Sequence, residues 1–164
     1  MLVLDRGSPV DWASGSIRMI TALDVAQYIL EKHGPMSAMK LQKLVYYSQA
    51  WSLVWDEAPM FTERIEAWRN GPVVRELYDA HKGQYMVKCL KFGNPSELSQ
   101  DARDTIDAVL NGYGDLNADQ LSALTHEEEP WKQARQGYEP EDPCGREITH
   151  DVMAEYYSSI QTNG

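Results

Sequence analysis

This sequence is poor in cysteine, in positive charge and in long apolar runs, and each shortage excludes a class of protein. Its two cysteines, Cys89 and Cys144, lie far apart and form no CxxC or CxxH pattern, so neither a zinc site nor a redox motif is predicted. No apolar run approaches the about 20 residues that span a bilayer, and the N-terminus lacks a basic stretch followed by an apolar core. We therefore expect a cytoplasmic protein with no metal, no cofactor and no contact with a membrane.

Positive charge is scarce because 15 lysines and arginines stand against 25 aspartates and glutamates. The formal net charge is -10, and a field of this sign repels the phosphate backbone of nucleic acids. Specific duplex binding would need a concentrated basic patch, and none is evident in the sequence, so nucleic acid is not an expected partner. Basic proteins, or acidic molecules bound in a small pocket, stay open as partners. So does the simpler interpretation that acidity only keeps the protein soluble.

Catalytic motifs are also missing. The four histidines form no HxxxH or HExxH pattern, and the chain has neither a GxSxG elbow nor a GxxxxGK loop. His33 and His81 fall near the predicted ends of helices, where an imidazole complements the helix dipole. For these two histidines we therefore expect a structural role.

One enzymatic alternative involves His126, which precedes three glutamates at positions 127–129. A general acid–base pair of this kind would still need a nucleophile or a substrate pocket, and the sequence indicates neither. Thr125 and Glu128 have the spacing of a capping box, and this structural interpretation is favoured. We therefore predict no catalytic residue.

The composition indicates a folded chain, since 43% of the residues are hydrophobic and only 8 are prolines. The periodicity predicts an α+β fold that is predominantly α-helical. We expect a compact single domain of about six helices over residues 19–162, with a small two- or three-stranded antiparallel sheet. Residues 1–18 are rich in glycine, serine and proline, which favour loops, and show no sustained hydrophobic periodicity. We therefore expect an N-terminal extension that is flexible or not native.

Helix signals are clear at several positions. Thr21 with Asp24 predicts a capping box for a first helix, which should end near residue 33 at a glycine and a proline. Ser37 caps a long segment with apolar residues on most of its circumference, which predicts a central helix. Asn117 caps a short helix, Thr149 precedes the last one, and a further helix should run from Ser96 to the Asn-Gly pair at 111–112.

Residues 61–67 alternate in a strand-like pattern and lead to Trp68, and residues 85–92 read as another short strand. Glycine tolerates a positive φ, and proline suits the first position of a helix, so Gly71 and Pro72 are predicted to end a strand and to begin a helix. This local chemistry does not require the tryptophan. Trp68 therefore calls for a separate explanation.

Three stretches together resemble the Panacea-domain antitoxin family, which includes SocA-like and phage-associated GepA-like proteins. The first is KLQKLVYYSQAW at residues 40–51, which is similar to the KLQKLLYYAQ-type signature of that family. The second is EAWRNGPVV at 66–74, and the third is LSALTH at 121–126 with Pro130 and Trp131. Their order and spacing make chance convergence an unconvincing explanation.

The resemblance implies a protein without enzymatic activity that binds and neutralises a cognate protein toxin encoded beside it. In some relatives the antitoxin acts as an adaptor that delivers the toxin to a host protease. The alternative is a proteolytic adaptor or phage-encoded regulatory protein that recruits host machinery without its own toxin. The identity of the toxin, the way it is neutralised and the oligomeric state stay open.

Two sets of residues follow from these stretches. Aromatic side chains at helical spacing are usually core, but tryptophan and arginine are also typical of protein interfaces. The residues assigned to partner binding are Lys40, Gln42, Lys43, Tyr46, Tyr47, Trp68, Arg69, Asn70 and Val74. The residues assigned a structural role are Trp51, Gly71, Pro72, Thr125, His126, Pro130 and Trp131.

Overall fold

The computed structural model describes residues 19–163, so the predicted extension of residues 1–18 lies outside the described part of the chain. Within that part the helices are α1 (Ala22–His33), α2 (Ala38–Trp55), α3 (Arg75–His81), α4 (Gln100–Tyr113), α5 (Ala118–Glu127), α6 (Glu129–Ala134) and α7 (His150–Asn163). The strands are β1 (Met36–Ser37), β2 (Ile65–Trp68), β3 (Gly71–Val74), β4 (Met86–Val87) and β5 (Glu147–Ile148). The predicted α+β, mostly helical class is confirmed, with seven helices described where about six were expected.

The helix starts follow the predicted capping chemistry. The Thr21 side chain accepts a hydrogen bond from the N–H of Asp24, and the Asp24 carboxylate accepts one from the N–H of Thr21. Ser37 caps α2 by accepting from the N–H of Lys40, and Asn117 caps α5 in a reciprocal box with Gln120. Each cap satisfies N–H groups that the first turn of a helix leaves unpaired.

Helix α2 lies at the centre of the molecule, as its sequence predicted. It packs against α1, α4, α5, α7 and strand β3, and every side chain from Leu41 to Leu53 is buried. A helix that is covered on all sides has to satisfy its polar side chains internally. The polar residues of α2 therefore make hydrogen bonds to the elements that pack around the helix.

Two small antiparallel sheets flank this helix. One has the strand order β3-β2-β5, with Ile65 opposite Val74 and Trp68 opposite Gly71. The other pairs β1 with β4, where Met36 is opposite Val87. None of the helices within residues 19–163 has the length and the apolar character needed to cross a bilayer.

The structure corrects the role predicted for Gly71 and Pro72. They do not join a strand to a helix, because both lie in strand β3 and α3 begins only at Arg75. The reversal occurs one step earlier, at residues 69–70, and Gly71 follows it with a φ of 123°. Proline is tolerated there because β3 is an edge strand, whose outward N–H groups need no partner strand.

Three further boundaries differ from the sequence predictions. Helix α4 starts at Gln100 after a 3-10 turn at Pro95–Glu97, and it continues through the Asn-Gly pair at 111–112 to Tyr113. Of the strand predicted at residues 85–92, only Met86–Val87 pairs with another strand. A glycine tolerated inside a helix and a short apolar run are both ambiguous signals, which explains these errors.

The predicted capping box of Thr125 and Glu128 is wrong. Thr125 lies in the last turn of α5, where its hydroxyl donates to the carbonyl of Ser122 over 2.7 Å. Glu128 is the boundary residue between α5 and α6, and α6 starts without a side-chain cap. The carboxylate of Glu128 is instead used in the interior.

Candidate functional site

The three sequence stretches meet around the hairpin formed by β2 and β3. The indole N–H of Trp131 donates to the carbonyl of Trp68 over 2.8 Å, and the hydroxyl of Ser122 donates to the carbonyl of Asn70 over 2.7 Å. Arg135, which is buried at the end of α6, donates to the carbonyl of Ala67 over 2.9 Å. Helix α5 thus holds the turn of the hairpin, and α6 with the residue that follows it holds strand β2, in each case through the backbone.

Gly71 is the point where the first and third stretches touch the second. A β-carbon at this position would overlap Lys43 Cε and would lie 3.0 Å from Thr125 Oγ1. The Lys43 ammonium also donates to the carbonyl of Pro72 over 3.2 Å. Glycine is therefore required both by the positive φ and by the close approach of α2 and α5.

Lys43 is the most unusual charged residue of this region, since it is 1% exposed. Burial lowers the pKa of its amine to about 7, because the charged form loses its hydration. No acidic partner for this amine stands among the ion pairs of the described residues. Burial also lowers the pKa of His81 and of His126, and the charge of Lys43 lowers both further.

Gln42 connects α2 to the edge of strand β3. Its side-chain oxygen accepts from the N–H of Val74 over 2.9 Å, and its side-chain nitrogen donates to the carbonyl of Val74 over 3.2 Å. The same nitrogen lies 3.0 Å from Nε2 of His81. Gln42 therefore takes the place of a neighbouring strand, and His81 is part of this buried network.

A cluster of tyrosines, defined here as Tyr46, Tyr47 and Tyr157, surrounds Glu128 in the interior. The hydroxyls of Tyr47 and Tyr157 each donate to Glu128 Oε1 over 2.7 Å, and the hydroxyls of Tyr46 and Tyr157 are 3.0 Å apart. Burial raises the pKa of the Glu128 carboxyl, although the two tyrosine hydrogen bonds oppose this effect. Beside the cluster, Trp51 donates to the hydroxyl of Tyr113 over 2.9 Å.

The glutamates beside His126 do not converge on its imidazole. The imidazole stacks on Trp131, with the ring centroids 3.9 Å apart, while Glu128 points into the tyrosine cluster and Glu127 and Glu129 are exposed. Its Nε2 atom is buried and has no hydrogen-bond partner in the described structure. Nor do residues 19–163 bring together three or more histidine, cysteine, aspartate or glutamate side chains that could hold a metal ion.

The hairpin turn forms a ridge between two clefts, because Trp68 and Arg69 line both of them. One cleft has a volume of about 520 Å³ and is also lined by Arg75, Glu141 and residues 143–145. The other has a volume of about 290 Å³ and extends over Asn70, Tyr78 and the start of α2. A binding partner could contact the protruding turn and insert side chains into the cleft on each side of it.

Trp68 is held in a fixed orientation by charged neighbours. Its indole N–H donates to Glu66 Oε1 over 2.9 Å, and the guanidinium of Arg75 pairs with the same oxygen over 3.0 Å while lying 5.2 Å from the indole ring. Burial disfavours ionisation of Glu66, but these hydrogen bonds outweigh it and hold its pKa below the usual range. The sequence assigned no role to Glu66 or Arg75, although alternation along a strand places Glu66 and Trp68 on one face.

The residues assigned to partner binding separate into two groups. Trp68, Arg69 and Asn70 stand together at the turn, and partly exposed Lys40 lines a different cleft, where it donates to the carbonyl of Gly114. The remaining members are buried, although Gln42 and Lys43 also line the smaller cleft beside the hairpin turn, and their part in partner binding stays a prediction. These buried residues are Gln42, Lys43, Tyr46, Tyr47 and Val74.

The residues assigned a structural role all take part in packing. Pro130 and Thr125 are buried, and Trp51, Trp131 and His126 make the ring contacts and hydrogen bonds described above. The sequence missed the exposed aromatic side chains of Tyr85 and Phe92, which belong to none of the three stretches.

Comparison with known proteins indicates the same family as the three sequence stretches. The profile of the family described as "Antitoxin SocA-like, Panacea domain" matches residues 41–132, from the start of the buried part of α2 to α6. Antitoxin SocA of Caulobacter vibrioides (strain NA1000 / CB15N) is 31% identical over 123 residues, and the match covers 65% of this chain and 65% of that protein. No solved structure matches.

Proposed function

Because this chain belongs to the family of SocA-like antitoxins with a Panacea domain, we propose that it is an antitoxin that neutralises a protein toxin by direct binding. The chain spans 65% of the length of its curated relative, so the partner of that relative is not carried over. In this proposal the protein acts by binding and not by catalysis. The buried polar groups of the three stretches support this, since they are engaged in packing and hydrogen bonds inside the molecule.

The observation that carries the proposal is the ridge of Trp68 and Arg69 between two clefts. Tryptophan and arginine are the side chains that most often dominate the binding energy of protein interfaces. The Arg69 side chain is 55% exposed and its ion pair with exposed Glu141 is loose, at 3.7 Å. Such a pair is weak in water, so Arg69 is free to exchange it for a carboxylate of the toxin.

The ridge is also preorganised. Its backbone is held by Ser122, Trp131 and Arg135, and its indole is held by Glu66 and Arg75. A partner that binds a fixed turn does not have to order it first, and this retains more of the interaction energy. We therefore assign the toxin-binding surface to Trp68, Arg69 and Asn70 with the walls of the two clefts.

The experiment co-expresses this chain with the protein encoded by the adjacent reading frame and measures growth and the dissociation constant of the purified pair. We expect Arg69→Glu to weaken binding at least about tenfold, equivalent to roughly 1.4 kcal/mol, and to abolish growth rescue. Lys32→Glu, a charge reversal at an exposed lysine of α1, is the matched control and should keep both.

Two outcomes would overturn parts of the proposal. If the neighbouring protein is harmless and does not bind, direct neutralisation is rejected and an adaptor or regulatory protein without its own toxin becomes the better explanation. If the pair binds but Arg69→Glu and Lys32→Glu behave like the wild type, the antitoxin function stands and the assigned surface is wrong.

A further inference from the structure

A second surface stands out at residues 82–92, called here the basic apolar segment. Three of its side chains are large, apolar and exposed: Tyr85 is 82% exposed, Phe92 is 74% exposed and Met86 is 48% exposed. Isolated apolar residues on a surface need no explanation, but a concentration within one segment is typical of interaction sites. None of these residues belongs to the hairpin ridge.

The charge of this segment is opposite to that of the whole chain. No aspartate or glutamate occurs between Asp79 and Glu97, whereas Lys82, Lys88 and Lys91 lie in this interval and are exposed. The chain as a whole carries a net charge of -10. All three lysines are exposed within this one short segment, and the Lys91 ammonium lies 5.8 Å from the centre of the Phe92 ring.

The backbone of the segment is anchored, so the exposure of its rings is a property of a defined surface. The carbonyl of Tyr85 accepts from the N–H of Ala38 over 2.9 Å, and the N–H of Leu90 donates to Gln27 Oε1 over 2.7 Å. Val87 pairs with Met36 across the second sheet, and both of their side chains are buried. The buried residues Val87 and Leu90 fix the segment on the domain, while the aromatic and lysine side chains around them stay outside.

A cleft of about 380 Å³ opens beside Tyr85. His33 and Lys40 line it, and both donate to the carbonyl of Gly114, over 2.9 Å and 2.7 Å. Asp119 is the one acidic residue among the lining residues of this cleft that the structure describes. The cleft therefore offers a concave pocket next to an exposed aromatic ring, with one lysine and one aspartate in its lining.

We propose that the basic apolar segment is a docking surface for an acidic segment of a partner protein that also carries aromatic or aliphatic side chains. Glutamates and aspartates of such a segment would pair with Lys82, Lys88 and Lys91, and its apolar side chains would cover Tyr85 and Phe92. The positive charge of the three lysines is complementary to an acidic segment, and this is why we assign such a segment as the partner. This inference goes beyond toxin binding at the hairpin and does not depend on it.

A single-stranded nucleic acid is the competing occupant, because lysines beside aromatic rings are also its usual platform. The charges around the segment favour the peptide. A nucleic acid strand that extends past the segment meets the acidic remainder of the chain, which repels phosphates. A short acidic peptide can place its charges against the three lysines alone.

The test uses the full chain and three fluorescent probes: a short peptide alternating glutamate with leucine and tryptophan, the same peptide with lysine for glutamate, and an oligothymidylate of similar length. We expect the acidic peptide to bind at least about tenfold more tightly than the lysine peptide, and to weaken as salt is raised. It should also protect exposed Cys89 from alkylation while buried Cys144 stays unreactive in both states.

Two variants locate the binding. Lys88→Glu with Lys91→Glu should lower affinity for the acidic peptide about tenfold, and Tyr85→Ser with Phe92→Ser should lower it similarly, since all four side chains are exposed. Lys132→Glu on α6, which removes a half-exposed lysine elsewhere, is the matched control and should leave it unchanged. Equal binding of both peptides, equal binding by all variants, or binding of the oligothymidylate alone would overturn the proposal.

Discussion

The indole N–H of Trp131 donates a 2.8 Å hydrogen bond to the backbone carbonyl of Trp68. This bond joins the second and third sequence stretches through two tryptophans that lie 63 residues apart in the chain. The Trp131 ring also stacks on His126 and receives the guanidinium of Arg135 at 5.2 Å from its centre. The tryptophan of the third stretch thus holds the hairpin ridge, and the histidine packs against that tryptophan.

Replacing Trp131 with phenylalanine tests this relationship. The variant keeps most of the ring but leaves the Trp68 carbonyl without its donor, so the free energy of unfolding should fall by about 1 kcal/mol. Urea denaturation measures this change, and Tyr85→Phe at an exposed position is the control that should have no effect. We also expect weaker binding at the ridge in a titration with the neighbouring gene product. Unchanged stability would mean that the hydrogen bond contributes nothing.

Gly71→Ala should be severe, because two independent penalties act at this position. The residue has a φ of 123°, and a β-carbon would overlap Lys43 Cε. Backbone strain of this kind costs about 1–3 kcal/mol, so we expect a loss of at least about 2 kcal/mol in urea denaturation.

The matched control is Gly112→Ala, where α4 has open space around the new methyl group. That change should stabilise by about 0.5 kcal/mol, because alanine is the better helix former. Adding Lys43→Ala to Gly71→Ala should recover the part of the loss that is due to the overlap and not the part due to φ. A Gly71→Ala variant as stable as the wild type would contradict the assigned packing.

The helices could be predicted because their signals are local. Helices α1, α2 and α5 are each capped by the side chain of the residue before them, Thr21, Ser37 and Asn117. The dense apolar pattern of α2 predicted a central helix. The hairpin could not be placed correctly, because a glycine before a proline fits a helix start as well as an edge strand. The pairing of Trp68 with Gly71 shows that the glycine and proline belong to an edge strand. Ser122 and Trp131, which are distant in sequence, hold the turn between the two strands.

The candidate site was predicted less well than the fold. The sequence brought Trp68, Arg69 and Asn70 to attention, but Gln42 and Lys43 could not be recognised as buried, because polar side chains near a helix start are usually exposed. Their burial depends on β3 and α5 covering α2. The exposed rings of Tyr85 and Phe92 were missed for the opposite reason, since an apolar run normally indicates a buried strand.

Lys43→Met should change the pH dependence of stability. The amine has a pKa of about 7 in the folded protein and 10.5 ordinarily, so between these values the unfolded chain binds the extra proton. The free energy of unfolding of the wild type therefore rises with pH in this window, by up to about 1.4 kcal/mol per pH unit. Below about pH 7 the amine is charged in both states, so the cost of burying it is constant. His81 and His126 are the titratable neighbours of this amine, and both are neutral there.

Urea denaturation from about pH 7 to 9 stays below the ordinary pKa of tyrosine and measures the difference between wild type and Lys43→Met. The variant should be the more stable protein at pH 7, by an amount that shrinks as the pH rises. The control is Lys82→Met, which changes an exposed lysine and should leave a constant difference. A pH-independent difference for Lys43→Met would show that the amine does not titrate in this range.

Glu128→Gln should have the opposite pH signature. Burial raises the pKa of this carboxyl above its ordinary 4.5, so above that pH the unfolded chain releases a proton that the folded protein retains, and wild-type stability falls as pH rises towards the folded pKa. The amide still accepts from Tyr47 and Tyr157 and has no charge to bury, so urea denaturation should show its advantage growing with pH. Exposed Glu127→Gln is the control, and an equal, flat difference for both variants would contradict the buried role of Glu128.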